Sequence, residues 1–287
     1  MLLPRSLLLL FLSSVSLHAA EAWAPGVSRN DGWIDFNKTC KDSSNYMADM
    51  GMCWAASASN VITWWQGQNP DAMKSVTLPS ADAWDVFRTV YKDVGGTPSA
   101  AYDWWINGRK TDEYGVPKDD GLMDFTQETK ETAFWYDGGF LKDIYAETAP
   151  NATTYLISSY NDAYAFSKQI VDALNSGYAL SISAFNSGVA HAYTLWGVEY
   201  EVNNGQYELT KAWVTDSDDG ETKLVEKLLQ CVNKGESGYV AFEEQFGATW
   251  QYVAGMSTSV IPEPSAFGLL AGMAALALVG SRRRKRS

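Results

Sequence analysis

The stretch Ala190-His191-Ala192-Tyr193-Thr194-Leu195-Trp196-Gly197 decides how this chain is read. The sequence holds two histidines, and the other, His18, lies in an apolar N-terminal stretch, which leaves His191 as the imidazole of the body. β-Branched and aromatic residues dominate from 190 to 201, which predicts a strand. Cys53 lies 138 residues upstream in Gly51-Met52-Cys53-Trp54, and Asp216 and Asp218 follow His191 by 25 and 27 residues. A thiol, an imidazole and a carboxylate are the parts of a nucleophilic site. The imidazole takes the thiol proton, and the carboxylate fixes the imidazole's tautomer.

Working outward from Cys53, residues 54–66 read as a helix. Trp54, Ala58, Val61, Ile62 and Trp65 recur at helical spacing, and Gly67 with Asn69-Pro70 stops the run. Cys53 is therefore expected at a helix N-terminus, where the helix dipole and a nearby imidazolium both favour the thiolate. Taken alone, a cysteine between Met52 and Trp54 fits a buried apolar residue equally well. Further helices are expected at 81–94 and 99–107, separated by the turn Gly95-Gly96-Thr97-Pro98, and at Phe166–Asn175.

From Tyr178 the pattern changes to strands at 178–185, 190–201 and 206–215, with later ones at 238–243 and 250–260. Asn203-Asn204-Gly205 is a hairpin turn. The expectation is an α+β fold in which a helical lobe carries Cys53 and an antiparallel β lobe carries His191 and Asp216, with a cleft between them. Asp216 and Asp218 are expected to end their strand on a shared face. The plainer alternative is a solvated acidic turn, Asp216-Ser217-Asp218-Asp219-Gly220. One body histidine and scattered cysteines give no zinc-ligand spacing, the acids fail the calcium-loop register, and no phosphate loop or Gly-x-Ser-x-Gly elbow occurs, so no cofactor is expected.

Both ends read as targeting segments. Residues 1–22 combine Arg5, an apolar run Leu7–Leu12 and small residues ending Ala19-Ala20-Glu21-Ala22, the pattern of a secretory signal peptide cut after Ala20 or Ala22. At the other end, Pro262-Glu263-Pro264 precedes an apolar stretch 266–280 and then Arg282-Arg283-Arg284-Lys285-Arg286. The stretch would place a short transmembrane segment with the basic block on the cytoplasmic side. The three elements in order resemble a PEP-CTERM sorting signal, which implies an exosortase-type partner and final residence in the cell envelope or outside it.

Between these ends, residues 23–261 form one body of about 239 residues. Without the ends, Lys+Arg falls from 22 to 16 and Asp+Glu from 34 to 32, leaving a markedly acidic body that excludes nucleic acid as a partner. Twelve Trp and fifteen Tyr are many for this length; most are expected in the core. Cys40, Cys53 and Cys231 are an odd set for an exported protein, and Cys40–Cys231 is the natural disulfide if Cys53 is the nucleophile.

The order Cys, His, Asp is that of papain-like thiol enzymes, and four ordered islands carry a closer likeness. Gly32-Trp33-Ile34-Asp35-Phe36-Asn37-Lys38-Thr39, Cys53 through Trp65, Trp104-Trp105-Ile106-Asn107-Gly108, and His191-to-Gly197 with Val214-Thr215-Asp216-Ser217-Asp218 resemble the IdeS/Mac family of immunoglobulin-degrading cysteine peptidases. The resemblance implies a papain-like fold, with Cys53 as nucleophile and His191 as general base and acid. It also implies that Asp216 orients His191 with Asp218 in support, and that Lys38 helps build the oxyanion site beside the Cys53 N–H. Trp54 departs from the glycine usual there, and the loop from Lys38 to Cys53 is longer than the family's. The implied activity is hydrolysis of an extracellular protein. Its rivals are an idle envelope- or matrix-binding protein on the same fold and a transglutaminase-like acyl transferase.

Overall fold

A computed structural model describes residues 19–39, 49–91, 95–108, 137–144, 157–158, 162–186, 189–232, 238–243 and 249–257. Cys40, most of the leader and the whole C-terminal signal with its stretch 266–280 lie outside the described residues. Among the described residues no helix is long and apolar enough to cross a membrane.

The fold is α+β. Its strands are β1 (Ala20–Trp23), β2 (Ile157–Ser158), β3 (Tyr178–Asn186), β4 (Val189–Asn203), β5 (Gln206–Thr215), β6 (Val225–Val232), β7 (Tyr239–Phe242) and β8 (Thr249–Ser257). Every ladder is antiparallel, and the order β4-β3-β8-β7-β6-β5 closes back on β4, so six strands form a barrel. The long β4 is shared along one edge: β3 pairs with its first half and β1 with residues 197–200. Ala20–Ala22, assigned to the leader by the sequence reading, thus pair with Val198–Tyr200, and Ala22 is buried. The fold uses residues that precede position 23.

The β4–β5 hairpin turns at Asn204 and Gly205, both at positive φ (53° and 80°), with Asn203 opposite Gln206. A two-residue loop of this type matches the strand twist only with left-handed residues, which Asn-Gly supplies at low cost. β6 was not foreseen. Its residues Leu229 and Cys231 are buried, but Glu226 and Gln230 lie on the exposed face and Lys227 shares the inward face, which breaks the apolar alternation.

The helices are α1 (Cys53–Gln68), α2 (Pro70–Met73), α3 (Ala83–Tyr91), α4 (Pro98–Asn107) and α5 (Ala163–Asn175). α1 is the hub: it packs against α3 and α4 on one side and β3, β4 and β8 on the other. α4 starts as its sequence dictates, with the Thr97 hydroxyl accepting the Ala100 N–H and Pro98 in the first turn. α5 departs from a simple helical lobe, because it belongs with the strands. Its buried face, Phe166, Ile170, Val171 and Leu174, lies on the barrel.

Aromatic residues fill the space behind α1. Trp54 packs edge-on to Phe87 and Tyr91 (centroids 5.7 and 5.4 Å), and Phe87 continues to Trp104 and Trp105 at 5.3 and 5.6 Å. Trp54, Trp65, Trp104, Trp105, Trp196 and Trp250 are all fully buried. Edge-to-face pairs of this kind add to the burial of large rings, and they anchor the helix whose first residue is Cys53.

Candidate active site

α1 begins at Cys53, so the Cys53 N–H belongs to the first turn, whose amides have no partner within the helix. Its position is set from behind by a buried polar knot. Asn60, buried one turn beyond Ser57 in α1, accepts the Phe36 N–H through Oδ1 (2.8 Å) and donates through Nδ2 to Thr194 Oγ1 (2.9 Å) and Thr215 Oγ1 (3.3 Å). The Thr215 hydroxyl donates to the Ile34 carbonyl (3.1 Å) and accepts the Trp196 indole N–H (3.1 Å). A second chain runs from Tyr102 through Ser181 to Ser57, each step 2.6 Å. One side chain thereby ties together the segment before Lys38, the Cys53 helix, the His191 strand and the strand leading to Asp216. These groups are buried and bonded, the condition under which polar networks stiffen a core.

His191 lies near the start of β4, on the face opposite the Thr194 contact with α1. Its Nε2 is 2.8 Å from Asp216 Oδ1, and its Nδ1 is 3.5 Å from Asp218 Oδ2. The imidazole is also hydrogen-bonded to the Cys53 thiol. With Nε2 facing Asp216, Nδ1 is the ring nitrogen left for sulfur. The Tyr193 ring stands edge-on to the imidazole at 4.5 Å, backed by Phe242 at 5.2 Å.

The two aspartates are not on the strand as expected. β5 ends at Thr215, and Asp216–Asp218 form the turn beyond it, with the Asp218 N–H donating to Asp216 Oδ1 (3.0 Å). The turn brings the two carboxylates to different nitrogens of one ring, which a shared strand face would not do. It therefore combines the two readings of this segment, an acidic turn that also addresses His191.

Lys38 is buried, and its ammonium donates to the Met50 carbonyl (2.7 Å) and pairs with Asp218 Oδ1 (2.5 Å). Its backbone N–H donates to the Ser217 carbonyl (2.9 Å). An ammonium carries three donors, and these contacts use two of them. Cys53, His191, Asp216, Asp218 and Lys38 are thus gathered in one place from four segments of chain. His191, Asp216 and Asp218 also offer three potential ligand atoms within 4.8 Å of one another. Those donors are already engaged, Nε2 by Asp216 and Asp218 by the Lys38 ammonium.

The charges follow from these contacts. Burial pushes the Cys53 thiol up, but the hydrogen bond and charge of His191, the Ala192 N–H and the Lys38 charge together bring it below its ordinary value. Burial alone would lower His191; the bonds to Asp216 and Cys53 override it and raise the imidazole to about 10. Burial would raise Asp216, and its bond to His191 lowers it instead. Both shifts run in the direction that favours a thiolate beside an imidazolium. Nearby, Asp35 is pushed up to about 7, first by burial and then by Asp219 and Asp216, against the Lys223 N–H that it accepts.

A cleft of about 410 Å³ opens at the thiol. The start of α1 and residues 95–99 wall one side, and Ser183, Phe185, Ala190 and His191 wall the other. Apart from His191, none of these residues is charged, so an extended peptide could lie across Cys53 without burying unpaired charge. Cys231 is buried on β6, its sulfur 3.7 Å from Ser167 Oγ; its proposed partner Cys40 lies outside the described residues.

In this α+β fold one imidazole lies between a helix-terminal cysteine and a carboxylate, the set of groups that thiol chemistry requires. Comparison with known proteins places the chain more closely. The Mac-1 family model matches residues 20–86 and 78–245, and the chain belongs to that family. The IgM protease of Streptococcus suis (strain P1/7) is 26% identical over 223 residues. That alignment covers 67% of this chain but only 18% of the relative, which is a much longer protein.

Proposed function

We propose that this chain is an exported cysteine endopeptidase in which Cys53 attacks a peptide carbonyl, His191 moves the protons and Asp216 holds His191. The observation that carries this reading is the arrangement Cys53–His191–Asp216 at the mouth of an uncharged cleft. The steps follow from the atoms present. The thiolate attacks the carbonyl carbon, and the C=O electron pair moves onto oxygen, where the Cys53 N–H and Lys38 ammonium receive the developing charge. As the tetrahedral species collapses, the C–N bond breaks and the His191 Nδ1 proton passes to the leaving nitrogen. An amine product departs and a thioester remains on Cys53. His191 next takes a proton from water, whose oxygen attacks the thioester; the C–S bond breaks, restoring the ion pair and giving a carboxylic acid that loses its proton to solvent. Asp216 keeps Nε2–H in place throughout and stabilises the imidazolium, and Asp218 supports both His191 and Lys38.

The substrate class is an extracellular protein. Immunoglobulin is the first to test, because the chain belongs to the Mac-1 family and a relative bears the name IgM protease. Export rests on the N-terminal leader. Membrane attachment and an exosortase-type partner rest on the Pro-Glu-Pro, apolar and basic segments at the C-terminus.

The test is incubation of the purified domain with IgM, IgG and casein, followed by product masses, with Cys53→Ala in parallel. The reading expects new chain ends that together gain one water, and no product from the variant. Ends carrying an added amine would indicate acyl transfer; intact substrates with an unreactive thiol would indicate the idle binding protein.

A further inference from the structure

We propose that Asp49 is a positioning residue for the oxyanion site, fixing where both the Lys38 ammonium and the Cys53 N–H point. The inference rests on the roles proposed above for Lys38 and Cys53. Asp49 is a carboxylate with 0% exposure, four residues before the nucleophile and outside the set of residues that act on the substrate. Acids are almost never buried this completely unless their bonds compensate.

The bonds of Asp49 run in two directions. Oδ2 accepts the Thr39 N–H at 2.7 Å and the Thr39 hydroxyl at 2.9 Å, which clamps the residue directly after Lys38. The Arg88 Nε of α3 stands 3.8 Å from the same oxygen and offsets its charge. In the other direction, the Asp49 carbonyl accepts the Met52 N–H (3.1 Å), closing the turn that leads into α1 at Cys53. The neighbouring Met50 carbonyl holds the Lys38 ammonium. One buried side chain thus braces the lysine segment against the cysteine turn. If the brace loosens, the two donors lose their common target, while the thiol keeps its imidazole through β4.

This separation gives a test that does not need the natural substrate. p-Nitrophenyl acetate and iodoacetamide both consume the Cys53 thiolate, but only the first passes through an oxyanion. With the ester, sulfur attacks the carbonyl carbon and the C–O bond breaks, releasing p-nitrophenolate and leaving an acetyl thioester. With iodoacetamide, sulfur displaces iodide from a saturated carbon, and no charge develops on oxygen. In Asp49→Asn, and in the milder Thr39→Val, the acetylation rate should fall about 10- to 100-fold, on the scale of losing one oxyanion donor. The alkylation rate should stay within about threefold of wild type. Lys38→Met should lose acetylation at least as strongly, and its alkylation should slow as well, because the Lys38 charge helps to hold the thiol down.

Equal losses in both rates, with a lowered melting temperature, would mean that Asp49 merely supports the fold. Unchanged acetylation in both variants would overturn the proposal outright. A wild-type protein alkylated quickly but acetylated no faster than a free thiol would refute the oxyanion site itself, and one inert to both reagents would refute the peptidase reading.

Discussion

His191 Nε2 lies 2.8 Å from Asp216 Oδ1, although His191 sits near the start of β4 and Asp216 in the turn beyond β5, 25 positions apart. The contact, with the thiol on the other side of the ring, holds the imidazole at about 10. Turnover should accordingly stay level through the alkaline range and fall only as pH passes about 10, well above an ordinary histidine. Asp216→Asn should lower that limb towards 6.5 and cut turnover by roughly 100-fold, the scale of a general acid–base contribution. A pH–rate profile of both proteins checks this.

The same pair has a linked effect on stability. His191, raised from 6.5, stabilises fully below pH 6.5 and loses that contribution as pH rises towards about 10. Cys53, lowered from 9.0, does the reverse: its contribution is complete above pH 9.0 and is lost as pH falls through its depressed value. Between these limits the two slopes offset, because folded and unfolded chains hold one proton each on the pair. Cys53→Ala removes one slope, so its melting temperature should decline between pH 6.5 and 9 relative to wild type. Calorimetry across that range would show it.

Asp35 has the opposite arrangement for an acid. Its carboxyl is raised from 3.8 to about 7 by burial and by neighbouring acids. The folded chain therefore binds a proton more tightly than the unfolded chain, and stability is lost as pH rises from about 4 to 7. Asp35→Asn keeps an oxygen for the Lys223 N–H (3.0 Å) and should gain stability relative to wild type at pH 8 but not at pH 4. Denaturant titrations at the two pH values decide it.

Asn60 should matter to both stability and activity. Removing its amide in Asn60→Ala leaves the Phe36 N–H without its acceptor and takes one bond each from the Thr194 and Thr215 hydroxyls, which keep their other partners. The expected cost is about 1–3 kcal/mol, the penalty for buried groups left unpaired. Turnover should fall with it, because the knot aligns the segments bearing Lys38, Cys53, His191 and Asp216. Urea unfolding combined with turnover measures both.

Gly197 is a steric test of the N-terminal strand. A Cβ there would lie 2.5 Å from the Trp23 ring, which stacks on Trp213 at 4.6 Å beneath the Arg29 guanidinium. Gly197→Ala should destabilise by about 1–3 kcal/mol, as overpacking does. Deleting residues 19–23 from the same variant should abolish that difference, which thermal melts of the four proteins would reveal.

How far the chain could be read depends on where each signal lives. α1 was legible because Trp54, Val61, Ile62 and Trp65 repeat at helical spacing over about three turns, and the β4–β5 hairpin because Asn-Gly has a steric meaning. β1 was hidden, since Ala19-Ala20-Glu21-Ala22 carries the small-residue pattern of a cleavage site as well as a strand. β6 was hidden because Glu226, Lys227 and Gln230 interrupt its apolar residues. Cys53, His191, Asp216 and Asp218 stood out from composition and order, and Lys38 from a family likeness. The turn geometry that aims the aspartates was not readable, because it arises from bonds beyond the strand end. Asn60 and Asp49 likewise look ordinary in sequence. Their roles come from partners up to 155 residues away or from complete burial, which only the folded chain supplies.

The central claim is that Cys53 is a nucleophile activated by His191. The most direct measurement is the rate of Cys53 alkylation by iodoacetamide as a function of pH, mapped by peptide mass in wild type and His191→Ala. The account predicts fast labelling of Cys53 in wild type with a midpoint below 9.0, and a midpoint shifted upward in the variant. A wild-type midpoint at or above 9.0, unmoved by removing the imidazole, would contradict it.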